Sequence, residues 1–151
     1  METIFQTMLR DHDRFLKELS DVSEVIFGIS IKAETPEEKL EVLRGVLEVY
    51  LKLSKFIWEF DKHWHFTLNS FFVLSEDSTF LGSVEKVKEQ REILSRTLSK
   101  LQELLAEYRE MKRSIEEITT EVKEAIMKVR LTLLEHIIME ERLILHLIME
   151  K

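Results

Sequence analysis

A shortage of glycine and proline is the feature that most restricts how this chain can fold. Its 151 residues include three glycines and one proline, where average usage would give about eleven and about eight. β-Sandwiches, barrels and Rossmann-type folds need many tight turns, so the shortage argues against them. Helix-forming residues, chiefly Leu, Glu, Lys, Ile and Met, take the place of the missing turn formers. The sequence therefore predicts one all-α domain over residues 1–151, long enough to bury a core.

Charge and cysteine content narrow the chemistry further. The net charge is -7 and no basic patch stands out, which argues against nucleic acid as a partner. No run of about 18 apolar residues is present, and the first residues lack the features of a signal peptide. We therefore expect a cytoplasmic protein that does not act on membranes. The absence of cysteine excludes disulfides, thiolate zinc sites and cysteine nucleophiles, and leaves five histidines as the main chemical resource.

Periodicity and capping residues predict four long helices. The first is expected over about residues 3–27, and the second from the cap at Thr35 to about Leu74. The third begins at Ser83 and its apolar stripe reaches Tyr108. The fourth begins near Ser114, and residues 110–113 are left open between helix and turn. The N-caps are Thr35 and Ser114, each followed three residues later by a glutamate as in a capping box, and Ser83 after Gly82. Gly28 is the expected C-cap of the first helix, and Gly45 a place where the second helix could soften.

Short connections make consecutive helices antiparallel neighbours, so the predicted architecture is an up-down-up-down four-helix bundle. A long coiled-coil hairpin that dimerises is the alternative. The inward-facing stripes are broad and rich in aromatic residues, which favours the bundle. The first helix is expected to turn Leu9, His12 and Leu16 inward. The inward stripe of the second helix includes Phe60, His63 and Thr67 and continues to Phe71 and Leu74, and that of the fourth runs from Ile118 through Glu140 to Leu147.

The antiparallel order of the helices allows the depth of each histidine to be measured from one end of the bundle. His12, His63 and His136 lie on three different helices, nine to thirteen residues from the same end of the bundle. At 1.5 Å per residue, they fall in one layer about 9 Å thick, together with Glu140, Glu141 and Gln90. His65 and His146 lie off these stripes and are expected at the surface or behind the layer. Burying three imidazoles without partners is costly, and one metal ion would give all three a partner. A network of hydrogen bonds among core residues is the alternative.

Other metal and catalytic motifs are missing. No glutamate is followed three residues later by a histidine, which excludes the di-iron motif of ferritin-like bundles. The zinc-protease motif His-Glu-x-x-His, a glycine-rich phosphate loop and a nucleophile–base pair are absent as well. We expect a binding protein that is not an enzyme.

Three segments resemble the hemerythrin-like (HHE cation-binding) family. Residues 9–15 (LRDHDRF) are similar to its first-helix histidine motif, and residues 134–145 (LEHIIMEERLIL) to its fourth-helix His-x-x-x-Glu-Glu signature. Residues 63–72 (HWHFTLNSFF) fall where the family's second helix has a histidine followed by a carboxylate. The resemblance spans nearly the whole chain. It implies a four-helix bundle with a non-haem iron centre that binds dioxygen or responds to oxygen, nitric oxide or redox state.

The chain departs from that family at three ligand positions. The bridging carboxylate of the second helix falls at Thr67, and the two histidines of the third helix fall near Gln90 and Leu94. The resemblance then implies an incomplete di-iron site or a single iron. The ligands that remain are His12, His63, His136 and Glu141, with Glu140 as the alternate carboxylate.

Two functions follow from the sequence. The first is a module that binds metal, iron before zinc, and acts as a sensor or binder of a small diatomic ligand. The second is a metal-free degenerate bundle that serves as a regulatory or protein-interaction scaffold. Either one could assemble with further copies of itself or with another protein.

Overall fold

The computed structural model describes residues 3–28, 34–74 and 79–149. Within these ranges, the side chains of residues 71–74 and 79–81 are not described. Four α-helices account for nearly all of these residues: α1 (Ile4–Phe27), α2 (Pro36–Leu74), α3 (Thr79–Arg109) and α4 (Ile115–Met149). No strand occurs in these ranges. The prediction of an all-α four-helix bundle is confirmed.

Local capping explains where the helices start. The Thr35 hydroxyl accepts from the Glu38 amide at 3.1 Å, and the Glu38 carboxylate accepts from the amide of Glu34 at 3.2 Å. Ser114 caps α4 by accepting from the Glu117 amide at 3.2 Å. At α1, Thr3 and Gln6 form a reciprocal capping box. These bonds satisfy amides that have no partner inside a helix.

One helix boundary differs from the prediction, and one that was left open is now defined. α3 begins at Thr79, so Gly82 and Ser83 lie inside the helix instead of before it. Their helix propensity costs about 1 kcal/mol or less each, and Val84 packs on a buried cluster at this end of the bundle. Residues 110–113, left open above, are not helical. They form the turn between α3 and α4, in which Met111 has a φ of 61°. α2 continues as helix through Gly45.

Each helix packs against its two neighbours around the ring, and α2 and α4 also meet across the diagonal. α1 and α3 make no close backbone approach within the described residues. The core is one long apolar cluster through most of the bundle. A second, small cluster of Met8, Ile144 and Leu147 lies near the other end.

The buried face of α1 includes His12, Leu19 and Ile26 as predicted, but it differs from the prediction at two positions. Met8 and Phe15 are fully buried, whereas Leu9 and Leu16 are 41% and 38% exposed. Phe15 is held inside by edge-to-face contact with Phe56, at 5.4 Å between ring centroids. The expectation that Leu9 and Leu16 face the core was therefore wrong. The inward stripes of α2 to Thr67, and of α4 from Ile118 to Glu140, are buried as expected. Phe71 and Leu74, which the prediction also turned inward, have side chains outside the described part.

None of the helices in the described part of the chain is both long enough and apolar enough to cross a bilayer.

Candidate metal centre

A polar layer separates the two apolar clusters. It contains His12 from α1, His63 from α2, and His136 and Glu140 from α4, none of them more than 2% exposed. Donor atoms of these four residues all lie within 4.8 Å of one another, and they are the one such group within the described ranges. Three helices therefore bring three imidazoles and one carboxylate together, at the common depth that the helix lengths predict.

Glu140 is the centre of the layer. Its Oε1 atom lies 2.6 Å from His63 Nε2 and 2.8 Å from His12 Nε2. Its Oε2 atom lies 2.8 Å from His136 Nε2. All three histidines thus turn the same ring nitrogen, Nε2, toward this carboxylate. Burial acts to raise the pKa of Glu140, but the hydrogen bonds from His12 and His63 outweigh it and hold the pKa well below its usual range.

The other ring nitrogen of each histidine faces outward to an acceptor of its own. His63 Nδ1 lies 2.9 Å from Asp11 Oδ2, and His136 Nδ1 lies 3.0 Å from Gln90 Oε1. His12 Nδ1 lies 3.4 Å from Glu141 Oε1. Metal-binding histidines usually donate their second ring N–H to such an outer acceptor, which fixes the tautomer and the ring orientation.

The two carboxylates of the fourth-helix motif have different places. Glu140 is 1% exposed in the middle of the layer, whereas the Glu141 side chain is 47% exposed on its rim. The sequence reading preferred Glu141 as the ligand and kept Glu140 as the alternate. The geometry reverses that order, because Glu140 is four residues from His136 and so lies on the same face of α4.

Asp11 is the residue that sequence reasoning missed. It precedes His12 in α1, is 9% exposed, and holds His63 across the α1–α2 interface. Burial acts to raise the pKa of Asp11, but the hydrogen bond and charge of His63 lower it overall, helped by Arg14 and Arg10. The signal was present as an acidic residue at the edge of the inward face, one position from a histidine.

The protonation states of the rings differ. Burial acts to lower the pKa of His63, but hydrogen bonds with Asp11 and Glu140 and their charges raise it to about 9. Burial lowers the pKa of His136, although Glu140 lies beside it. His136 is therefore neutral near pH 7 and carries a proton on only one of its two ring nitrogens.

One contact in the layer is not satisfied by hydrogen bonding. With the proton of His136 on Nδ1, where it is donated to Gln90, Nε2 presents a lone pair to Glu140 Oε2 at 2.8 Å. Both atoms are buried and neither has a hydrogen-bond partner of acceptable geometry. Two lone pairs at this distance repel each other, and a cation between them would remove the repulsion. The donor set therefore fits a metal ion.

The departures from the family's ligand pattern are also visible. Thr67 is buried with its hydroxyl 3.4 Å from His63 Nε2, and Leu94 belongs to the apolar core. Gln90 contacts the outer nitrogen of His136. His65 and His146 are exposed and lie outside the layer, as expected.

Comparisons with models of known protein families, with curated protein sequences and with solved structures give no match for this chain. The resemblance to the hemerythrin-like family stays a prediction that rests on the motif residues.

Proposed function

We propose that the chain is a metal-binding module that holds one transition-metal ion, iron in the first place, through His12, His63, His136 and Glu140. The observation that carries this proposal is the common orientation of the three rings. Every Nε2 points to one carboxylate, and every Nδ1 has a separate outer acceptor. An ion beside this carboxylate could be bound by all three Nε2 atoms at once, while the outer acceptors hold the rings in place.

The choice of ion follows from donor chemistry. Imidazole and carboxylate suit Fe(II), Zn(II) and similar divalent ions, and no thiolate is available to select a softer one. Four protein ligands complete the tetrahedral coordination that zinc prefers, whereas iron commonly accepts additional ligands. An iron ion with these four donors would keep room for a small exogenous ligand. That room, together with the motif resemblance, supports a role in binding or sensing a diatomic molecule.

A two-iron centre has less support than a single ion. At the positions where the family supplies further ligands, this chain has Thr67, Gln90 and Leu94. Of these, Leu94 has no donor atom, and Gln90 is engaged on the outer side of His136. We therefore favour one ion, with an incomplete di-iron site as the limiting case.

Metal content provides the test. Protein produced with added iron, and in parallel with added zinc, is expected to carry about one equivalent of metal by elemental mass spectrometry. His63→Ala is expected to lose most of it, since it removes a central donor. His65→Ala is the matched control, because this exposed histidine lies on the same helix but off the layer. Trace metal that is equal in the wild type and both variants would refute the proposal.

Ligand binding is tested separately on protein loaded with Fe(II) without oxygen. Addition of nitric oxide is expected to change the visible absorbance in proportion to the bound iron. Iron-loaded protein whose spectrum is unaffected by nitric oxide and by air would leave metal storage or structural stabilisation as its role, and would contradict the sensor function.

A metal-free scaffold is the second candidate, and one observation favours it. His63 lies between Asp11 and Glu140 with a pKa raised to about 9, so its positive charge balances a buried negative one without any ion. A colourless protein that stays metal-free after loading and unfolds cooperatively would support the scaffold.

A further inference from the structure

α4 carries a second apolar stripe on its outer side, separate from the face that it buries in the bundle. The stripe consists of residues between 36% and 60% exposed: Met127, Leu131, Leu134, Ile138, Leu145 and Ile148. Their spacing alternates between four and three residues, and the one gap in the alternation is filled by Glu141. This is the heptad spacing of a helix that packs against another helix. We refer to these six residues as the α4 stripe.

Two leucines of α1 widen this surface. Leu9 and Leu16 are exposed and lie three residues before and four residues after His12, so they share its side of the helix. His12 contacts Glu141, which occupies the gap in the α4 stripe. The exposed leucines of α1 therefore border the α4 stripe. Monomeric proteins seldom expose contiguous apolar patches of this extent.

The charges beside the stripe indicate what covers it. Glu135 and Arg142 flank it on the side away from α1, seven residues apart. That separation is about 10.5 Å along the helix, too far for the two to pair with each other. If a second α4 packs antiparallel about a two-fold axis midway between Ile138 and Glu141, each Glu135 comes within two residues, about 3 Å along the helix, of the level of Arg142 of the other copy. The two side chains can then form a salt bridge. A parallel two-fold arrangement would instead put Glu135 and Arg142 of the two copies on opposite sides of the seam, where they could not pair.

We propose that the α4 stripe, with Leu9 and Leu16, is the interface of a symmetric homodimer in which two α4 helices pack antiparallel. A two-fold axis makes the same patch serve on both subunits, and the Glu135–Arg142 pattern is complementary to itself under that operation. Glu141 is the single polar residue in the seam, and such residues fix register at some cost in stability. The interface thus passes directly outside the polar layer.

Mass in solution tests the proposal first. Light scattering behind size exclusion is expected to give twice the chain mass of 18.1 kDa at micromolar concentration. Ile138→Lys is expected to raise the dimer dissociation constant at least about tenfold, because it puts a charge at the centre of the seam. Leu51→Lys is the matched control on α2, where the leucine is 66% exposed, and it should leave the dimer intact. A monomer at all concentrations would overturn the proposal.

Charge exchange tests the antiparallel pairing. Glu135→Arg and Arg142→Glu, taken singly, each place like charges face to face and should weaken the dimer. The double variant restores opposite charges in every pair, and should recover most of the wild-type affinity. Failure of the double variant to recover, with unchanged helicity by circular dichroism, would refute this arrangement.

The absence of cysteine allows a direct distance test. Ile138→Cys places two thiols beside the proposed axis, and mild oxidation should link the copies. Leu131→Cys places its thiol level with residue 148 of the second copy, so the two thiols lie about 25 Å apart along the helices. It should not cross-link with itself. Equal cross-linking of the two variants would indicate parallel packing and contradict the proposal.

Discussion

The two ends of the bundle are built differently. Toward the end formed by the start of α2 and α4, the core is one continuous apolar cluster, with Val22, Val46 and Ile126 among its members. Toward the other end, the polar layer interrupts the core, and only the small cluster of Met8, Ile144 and Leu147 closes it. The first region stabilises the fold through apolar burial. The second must compensate the desolvation of four buried polar side chains, those of His12, His63, His136 and Glu140. We call them the apolar half and the site half.

The contrast suggests how stability and binding are divided. Apolar burial contributes to stability roughly in proportion to area and needs no partners. Buried imidazoles and carboxylates contribute only when every group is satisfied. Changes in the apolar half should therefore alter stability alone, and changes in the site half should alter stability and metal content together.

The largest effect is expected from Glu140→Ala. It leaves His12 and His63 without their shared acceptor, and it removes one of the two carboxylates that balance the charge of His63. Removing one partner from a buried charged pair costs about 3–5 kcal/mol. Urea unfolding of the metal-free protein measures this loss, and metal content should fall to background. Full stability with full metal content would show that the site half does not depend on its central carboxylate.

Ile126→Ala in the apolar half should cost about 2–5 kcal/mol, through lost burial and the cavity left behind. Ile126 is 1% exposed and lies ten residues from His136 along α4, about 15 Å away. The metal bound per folded chain should therefore be unchanged. Loss of metal in this variant, measured under conditions where it is folded, would show that the two halves are not independent.

A smaller effect is expected from alkaline pH on the metal-free protein. The folded pKa of His63 is about 9, above the ordinary value of 6.5. Its charge therefore stabilises the fold fully below about pH 6.5, and this contribution is lost as pH rises through 9. The loss should be about 1–3 kcal/mol over that window. His63→Gln should flatten the decline, whereas His65→Gln should follow the wild type. Parallel curves for all three proteins would contradict a charged His63.

Much of the fold could be predicted from sequence because its signals are local. The capping residues Thr35 and Ser114 act within one helical turn, and the scarcity of glycine and proline leaves few places for the chain to reverse. The same local signals misplaced the start of α3. Gly82 and Ser83 resemble a cap, but the packing of Val84 further along the chain outweighs their weak preference.

The site was predictable to the level of the layer and not beyond it. Helix length alone brings His12, His63 and His136 to one depth, whatever the details of packing. Rotation about a helix axis decides the rest, and neighbouring residues differ by about 100°. For this reason the sequence favoured Glu141 as the ligand, whereas Glu140 is the carboxylate at the centre of the layer. Asp11 was missed for a related reason, since its role depends on the distance between α1 and α2.

The uneven diagonals of the bundle have a consequence for the site. α2 and α4 meet across the middle, while α1 and α3 stand apart, so the four inner donors come from three helices. α3 supplies no donor and reaches the layer through the amide of Gln90, behind His136. A substitution or tilt in α3 can therefore change the basicity of one donor without displacing any. Under the metal-binding proposal, α1, α2 and α4 would hold the ion and α3 would adjust its reactivity, so variation in α3 is where a chain of this design could be retuned.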